Sequence, residues 1–254
     1  MFIIKRDGTR QDLDISKIQD MTKEAVANLE GVSQSELEVD AQIKFIDGMM
    51  SSDIQDALIK TAVEKIDIDV PNWTFVAARL FIFDLYHRVG KLTHGVKGNP
   101  YGHLKDYVKI GIEYGRLFPY IADGYNLEDL NNHIDQKRDL LFNYLGIKTL
   151  YDRYLLKNSK GETIELPQHM FMAIAMFLAQ NEPNKQEKAK SFYDVISKFE
   201  VMLATPTLSN ARTNRHQLSS CYIGSAPDNI EGIFDSFKEF GLLSKYGGKI
   251  CHAA

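Results

Sequence analysis

Phe2-Ile3-Ile4-Lys5-Arg6-Asp7-Gly8-Thr9-Arg10-Gln11-Asp12-Leu13-Asp14-Ile15-Ser16-Lys17-Ile18 is the stretch on which the fold reading turns. Phe2 to Lys5 reads as a short strand. Arg6-Asp7-Gly8-Thr9 reads as a turn, with Gly8 supplying the positive φ that a tight hairpin needs, and Arg10 to Leu13 as the return strand. Ser16 is expected to cap an amphipathic helix running to about Leu29, because Ile18, Met21, Ala25 and Leu29 fall at helical spacing. Gly31 suits the position just past its end. A helix start offers free N–H groups and a positive dipole end, which suit phosphates, and Lys5, Arg6 and Lys17 add cations around it. A plain hairpin with a basic rim accounts for the same residues.

Outward from there, Ser33 to Ile46 follows no single period, and Asp47-Gly48 breaks it. Ser51-Ser52-Asp53 offer N-caps for a helix through about Ile66, with Ile54, Leu58, Ala62 and Ile66 on one face. Pro71 suits the start of the next helix, whose stripe is Val76, Leu80, Phe83 and His87 and which ends near Gly90. Gly90 to Gly102 carries four Gly and one Pro in thirteen residues and reads as a linker or a domain boundary. Residues 1–92 are then expected to form an α+β unit, and residues 93–254 a second, mainly helical one. Its helices are read at Tyr107 to Leu117, Asn126 to Arg138, Gln168 to Asn181 and Lys185 to Phe199. Lys157 to Glu165 has the pattern of a hairpin, and Val201 to Thr205 that of a short buried strand ending at Pro206.

The chain has 254 residues, 44% hydrophobic and 25% charged, which excludes disordered and disulfide-scaffold classes. A net charge of −4 gives no broad basic surface and argues against direct DNA binding. Two cysteines, Cys221 and Cys251, make no disulfide framework, and a reducing compartment follows. The longest apolar run, Met170 to Ala179, is ten residues, too short for a membrane span. Residues 1–7 lack the pattern of a signal peptide, so a soluble, cytoplasmic protein is expected. Gly241 to Ile250 resembles a P-loop but has the wrong glycine spacing, and Ile follows Lys249 where Ser or Thr is needed. No histidine pair falls at i, i+4, and no metal site is expected. His169 is expected to be capped or solvated, and Met170 to Met176 to be core.

A second informative stretch is Leu203 to Ile223, LATPTLSNARTNRHQLSSCYI. It combines a strand end, a Thr-Pro-Thr turn, a basic patch (Arg212, Arg215, His216) and Ser219-Ser220-Cys221. On residue types alone Cys221 is either a small core residue or a reactive thiol.

Both stretches resemble known families. IIKRDG at 3–8, DISKI at 14–18, FIDGMMSSDI at 45–54 and AARLFIFDLYHR at 77–88 resemble the ATP-cone, a regulatory nucleotide-binding domain. That resemblance implies ATP or dATP as allosteric effectors, contacted by Lys5, Gln11, Asp12, Leu13, Asp14, Ile15, Ser16, Lys17, Ser51, Gln55 and His87. The family often has His where this chain has Gln55, and a basic residue at the position of His87. ATPTLSNARTNRHQLSSC at 204–221 resembles the start of the catalytic barrel in class I ribonucleotide reductase large subunits. The implied fold is an α+β ATP-cone, a small sheet on a helix bundle, followed by a mainly helical region and the first strands of an incomplete ten-stranded α/β barrel.

The implied activity is reduction of ribonucleotides to deoxyribonucleotides by thiyl-radical chemistry, serving deoxyribonucleotide biosynthesis and DNA replication. Cys221 matches one thiol of the redox-active pair, and Thr205 and Ser220 match substrate-contacting positions. Asp228, Asn229 and Ile230 match part of a specificity effector site, and Asp228 is read as the N-cap of a helix from Ile230 to Tyr246. That helix would carry Ile233, Phe237 and Leu242 or Leu243 into a homodimer contact. The resemblance further implies a nucleoside diphosphate substrate and thioredoxin or glutaredoxin as reductant. It also implies a radical-generating small subunit that holds the metal-radical cofactor.

The family pattern continues past this sequence, and Gly247-Gly248-Lys249 departs from its glycine run. Either one half of a split large subunit, completed by a C-terminal portion on another chain, or a truncated product is therefore expected, inactive alone in both cases, with Cys251 an incidental residue. The alternatives are a stand-alone ATP/dATP-sensing module without catalysis and an anaerobic, glycyl-radical reductase.

Overall fold

Strand β1 (Phe2–Ile4) pairs antiparallel with β2 (Arg10–Asp12) in the register Phe2–Asp12, Ile3–Gln11, Ile4–Arg10. A computed structural model describes residues 1–6, 8–41, 46–245 and 249–252, the last four by backbone alone. Asp7 and Phe45 of the sequence motifs, and Tyr246 to Gly248, lie outside the described residues, as does the side chain of Cys251. Gly8 takes φ +80°, and the Lys5 amide donates to the Thr9 carbonyl at 2.8 Å, closing the turn. Strand β3 (Met49–Met50) adds to β1 in parallel, giving the order β2-β1-β3.

Two compact units divide the chain: residues 1–102 with 135–152, and residues 103–134 with 153–254. In the first unit the sheet is joined by α1 (Ile15–Val26), α2 (Gln34–Asp40), α3 (Ser51–Glu64) and α4 (Trp73–Val89). Helix α4 is buried on nearly all sides, at Trp73, Val76, Ala77, Leu80, Phe81 and Leu85, so its sequence shows little amphipathic period. His87, read as part of its stripe with Val76, Leu80 and Phe83, is exposed. Helix α3 presents Ile54, Leu58 and Ala62 to the core, while Ile66 lies past its end and is exposed.

The caps differ from those expected. Asp14, not Ser16, caps α1: its Oδ1 accepts from the Ser16 amide at 3.1 Å and the Ser16 hydroxyl at 2.5 Å. That helix ends at Val26, and Asn28, not Gly31, is the first residue past it in the left-handed region, at φ +58°. Arg79 Nη1 donates to the carbonyls of Ala25 and Ala27 at 3.1 and 2.7 Å, satisfying oxygens that a helix end leaves free. Ser51 is itself the first residue of α3, and no side chain caps it.

The glycine-rich stretch is wound on itself. After α4 a short 3-10 turn, Gly90–Thr93, leads into it. A Cβ on Gly95 would sit 2.2 Å from the Pro100 carbonyl oxygen, and one on Gly102 would sit 1.8 Å from that of Thr93. Only glycine permits backbones to approach so closely.

The residues read as one helix over 126–138 split in two. Helix α6 (Leu127–His133) belongs to the second unit, whereas a 3-10 turn at Gln136–Leu141 and α7 (Tyr144–Arg153) bring the chain back to the first. Buried Asp139 there accepts hydrogen bonds from the hydroxyls of Tyr86 and, at 2.5 Å, Tyr101. Burial, reinforced by the Asp139 charge, pushes the Tyr86 pKa well above its ordinary value. Asp84 pairs with both Arg6 and Arg88, the latter at 2.7 Å. Arg88 in turn donates to the Tyr151 hydroxyl at 3.1 Å.

The second unit is built on α8 (Pro167–Ala179) and α9 (Lys185–Ser197), with α5 (Leu104–Glu113). Met170 to Met176 are core, as read. His169 is buried with them rather than solvated. Val201 to Thr205 is not a strand: Val201 and Met202 are 48% and 75% exposed, and Thr205 opens helix α10 (Thr205–Asn210) with Pro206 in its first turn. A proline there loses no hydrogen bond, so the Thr-Pro-Thr signal starts a helix instead of ending a strand. Strand β4 (Cys221–Gly224), helix α11 (Ile230–Lys245) and strand β5 (Lys249–His252) follow, with β4 and β5 parallel. Among the described residues no helix is long and apolar enough to cross a membrane.

Candidate functional site

In the first unit a cavity of about 140 Å³ forms where β1, β2, the start of α1 and the start of α3 converge. Ile3 and Lys5 come from the first strand and its end. Gln11, Asp12, Leu13 and Asp14 come from the return strand and the cap that follows it. Lys17, Ile18 and Met21 line it from α1, and Ser51, Ile54 and Gln55 from α3. Five apolar residues and seven polar or charged ones line it, so apolar surface meets convergent donors and acceptors, as in small-molecule sites. Lys17 Nζ lies 3.6 Å from Asp14, both largely exposed. Asp14 is held below the ordinary carboxylate pKa, first by the Ser16 hydroxyl and then by the Ser16 amide and Lys17, so it stays ionised.

The fold thus brings together most of the residues assigned to nucleotide contact, but not all. Ile15 and Ser16 do not line the cavity, and Ser16 is engaged by Asp14. Gln55 lines it, yet is buried and donates its amide to the Leu80 carbonyl at 2.8 Å. His87 faces a neighbouring cleft of about 630 Å³, which shares Lys17 and Met21 with the first cavity. Partial covering of its ring, and then the charges of Lys91, Arg6 and Lys5, lower the His87 pKa against the pull of Asp84. Arg6 is drawn to Asp84 and does not line the small cavity. Sequence reasoning missed the apolar side of the cavity, Ile3, Ile18, Met21 and Ile54; their helical or strand spacing carried only a core reading.

The second unit carries the Cys221 region. Arg212, read as part of a basic patch, is fully buried. It forms a bidentate pair with buried Glu165, both contacts at 2.7 Å. It also donates to the carbonyls of Leu208 and, at 2.7 Å, Tyr154. Tyr107 donates to the same carboxylate, and the Leu156 amide does so at 2.9 Å. Burial works against the Arg212 charge, but Glu165 beside it raises its pKa further.

This cluster holds α10 at its first residue and in its interior. Leu208 is within it, and the Tyr154 hydroxyl lies 3.1 Å from the Thr205 hydroxyl. Asn210 donates to the Gln217 carbonyl at 2.8 Å, and Gln217 bonds the Ser219 carbonyl and the Tyr222 hydroxyl, both at 2.8 Å. Ser220 and Cys221 follow directly, both exposed.

Further on, Asn229, not Asp228, caps α11: its Oδ1 accepts from the Gly232 amide at 2.8 Å. Asp228 and Ile230 beside it are exposed, as are Phe234, Phe237 and Leu242 along that helix.

Two family models match. The ATP cone domain covers residues 1–88, and the all-alpha domain of ribonucleotide reductase covers residues 140–216. Over 248 residues the chain is 62% identical to the ribonucleoside-diphosphate reductase subunit alpha of Helicobacter pylori (strain ATCC 700392 / 26695), which covers 98% of this chain and 31% of that protein. Over 239 residues it is 33% identical to the ribonucleoside-diphosphate reductase 1 subunit alpha of Escherichia coli K12, covering 92% of this chain and 31% of that one. The subunit alpha of Treponema pallidum (strain Nichols) is 36% identical over 195 residues, 75% of this chain and 23% of the relative. The chain spans about a third or less of the length of these curated relatives.

Proposed function

Since this chain belongs to the ribonucleotide reductase large-subunit family, as an N-terminal portion carrying the ATP cone, we propose that it senses ATP and dATP and supplies part of a ribonucleotide-reducing site. The observation that carries the sensing role is the cavity on which Lys5, Gln11 to Asp14, Lys17, Ser51 and Gln55 converge from four elements. Lys5 and Lys17 offer cations to an anionic ligand, and Ser51 and Gln55 offer hydrogen-bonding groups. Calorimetric titration with ATP and dATP tests this. Saturable binding is expected, falling by at least about a hundredfold in Lys5→Ala/Lys17→Ala, since two charged hydrogen bonds worth about 1.5–3 kcal/mol each are lost. A folded chain that binds neither nucleotide would refute the sensing role.

In the second unit, Cys221 is the redox-active thiol. Its exposure on β4 favours this reading, because exchange with a dithiol reductant requires an accessible sulfur. Thr205 and Ser220 offer hydroxyls to the substrate, a nucleoside diphosphate, and the parallel pair β4–β5 opens the catalytic barrel. Asp228, Asn229 and Ile230 take part in the specificity effector site, and the exposed apolar residues of α11 form a homodimer contact. The reduction proceeds by thiyl-radical chemistry in a complete assembly. That assembly includes the rest of the large subunit, a radical-generating small subunit holding the metal-radical cofactor, and thioredoxin or glutaredoxin. The chain alone does not turn over. In the assembly, Cys221→Ser is expected to abolish steady-state turnover with a dithiol reductant while ATP binding persists; undiminished turnover would remove Cys221 from the chemistry.

A further inference from the structure

Thr205 opens α10, whereas Ser220 directly precedes β4 and Cys221 is its first residue, and the chemistry proposed above needs all three on one substrate. We infer that Gln217 is a positioning residue of that site: its side-chain amide sets the Ser219-Ser220-Cys221 backbone against α10, and so aims the Ser220 hydroxyl and the Cys221 thiol. The inference rests on the redox reading of Cys221 and names a residue that acts through it.

Residues 211–220 join the two elements without forming a helix or a strand. Their first part is held firmly. Arg212 is fixed by Glu165, and its carbonyl accepts from the Phe118 amide at 2.9 Å. The Thr213 amide and hydroxyl both donate to the Asn210 carbonyl at 2.9 Å. From residue 216 the hold changes. His216 is held by its ring, stacked on Phe177 with centroids 4.9 Å apart and at right angles to Phe118 at 4.8 Å. Over residues 216–219 the hydrogen bonds among the described residues are those of Gln217.

Those bonds reach both elements. The Asn210 side chain donates to the Gln217 carbonyl at 2.8 Å, which ties this backbone to α10. Gln217 Nε2 donates to the Ser219 carbonyl and to the Tyr222 hydroxyl, each at 2.8 Å. Both amide hydrogens therefore go to the two residues that bracket Ser220 and Cys221. Gln217 Oε1, by contrast, is buried with no donor among the described residues. A buried acceptor left unpaired is costly, and an apolar side chain of the same length would avoid that cost. What the amide contributes is thus carried by the two bonds it donates. A displacement of about 1 Å at reacting groups can lose roughly a hundredfold in rate, so a brace at this point acts on the chemistry without touching the substrate.

The test is steady-state turnover of the complete assembly, with amide exchange followed in this chain. Gln217→Met keeps the length and removes the donors; it is expected to lower kcat by about tenfold to a hundredfold while α10 keeps its protection. Tyr222→Phe removes one acceptor and is expected to lose less, adding little on top of Gln217→Met. Gln217→Glu sets a carboxylate against the Ser219 carbonyl, so its turnover relative to the wild type should rise as the pH falls towards about 5 and the carboxyl regains a proton to donate. Asn214→Ala, in the same stretch, is expected to leave turnover unchanged. Undiminished kcat in Gln217→Met overturns this inference and leaves the redox reading of Cys221 standing. Additive losses in Gln217→Met/Tyr222→Phe, an equal loss in Asn214→Ala, or a loss of α10 protection in step with kcat overturn it as well. Undiminished turnover in Cys221→Ser refutes the redox reading and this inference with it.

Discussion

Arg212→Ala is expected to destabilise the second unit by about 3–5 kcal/mol, the range for breaking a buried ion pair from one side. The guanidinium is fully buried and makes four hydrogen bonds, to both Glu165 oxygens and to the carbonyls of Leu208 and Tyr154. Removing it strands a carboxylate that receives hydrogen bonds from Tyr107 and the Leu156 amide. Glu165→Ala should do comparable damage by stranding the cation. The double variant Arg212→Met/Glu165→Leu should lose less than the two single losses combined, since neither charge is then left alone. The only tryptophan, Trp73, reports on the first unit, so amide exchange in α8 and α10 is the measurement. Unchanged protection of α10 in Arg212→Ala would show that the pair does not hold that helix.

His169 should make the same unit acid-sensitive. Its ring stacks on Tyr107 with centroids 4.8 Å apart, and burial lowers its pKa to about 3. Unfolded, the ring protonates near its ordinary 6.5. Above that pH both states hold it neutral and it contributes nothing to the pH dependence. As the pH falls from 6.5 towards 3 the unfolded state binds the proton and the folded state does not, so stability drops, by about 4–5 kcal/mol over the full interval. His169→Phe keeps a ring against Tyr107 and removes the titration. Denaturation midpoints followed from pH 7 to pH 4 should fall more steeply in the wild type than in the variant. Parallel profiles would mean the ring takes its proton without unfolding.

The hairpin, the amphipathic helices and most of the small cavity's lining were legible because each rests on local chemistry. Gly8 at the turn, the short apolar run of β1 and the 3.6-residue spacing of Ile18, Met21 and Ala25 are decided within a few residues. What stayed hidden depends on partners far along the chain. Arg212 looks like any surface cation until Glu165 is placed beside it, and nothing near Asp139 announces Tyr86 and Tyr101. His87 reads as a stripe residue because α4 is apolar on nearly every side, and periodicity then loses its power to assign a face. Val201 to Thr205 read as a buried strand because a short apolar run ending at a proline suits one, whereas that proline sits in the first turn of a helix.

The return of residues 135–152 to the first unit also orders events on the ribosome. Residues 1–102 emerge early, yet the acceptor for the Tyr86 and Tyr101 hydroxyls arrives only with Asp139, and Tyr151 reaches Arg88 later still. Vectorial synthesis therefore leaves this unit waiting, with two phenols lacking their carboxylate, while the first helices of the next unit are already being extruded. A recombinant fragment ended near the glycine loop would be arrested permanently at that stage. One carried through Asp152 would contain every segment the unit needs, though with residues 103–134 as a passenger insertion.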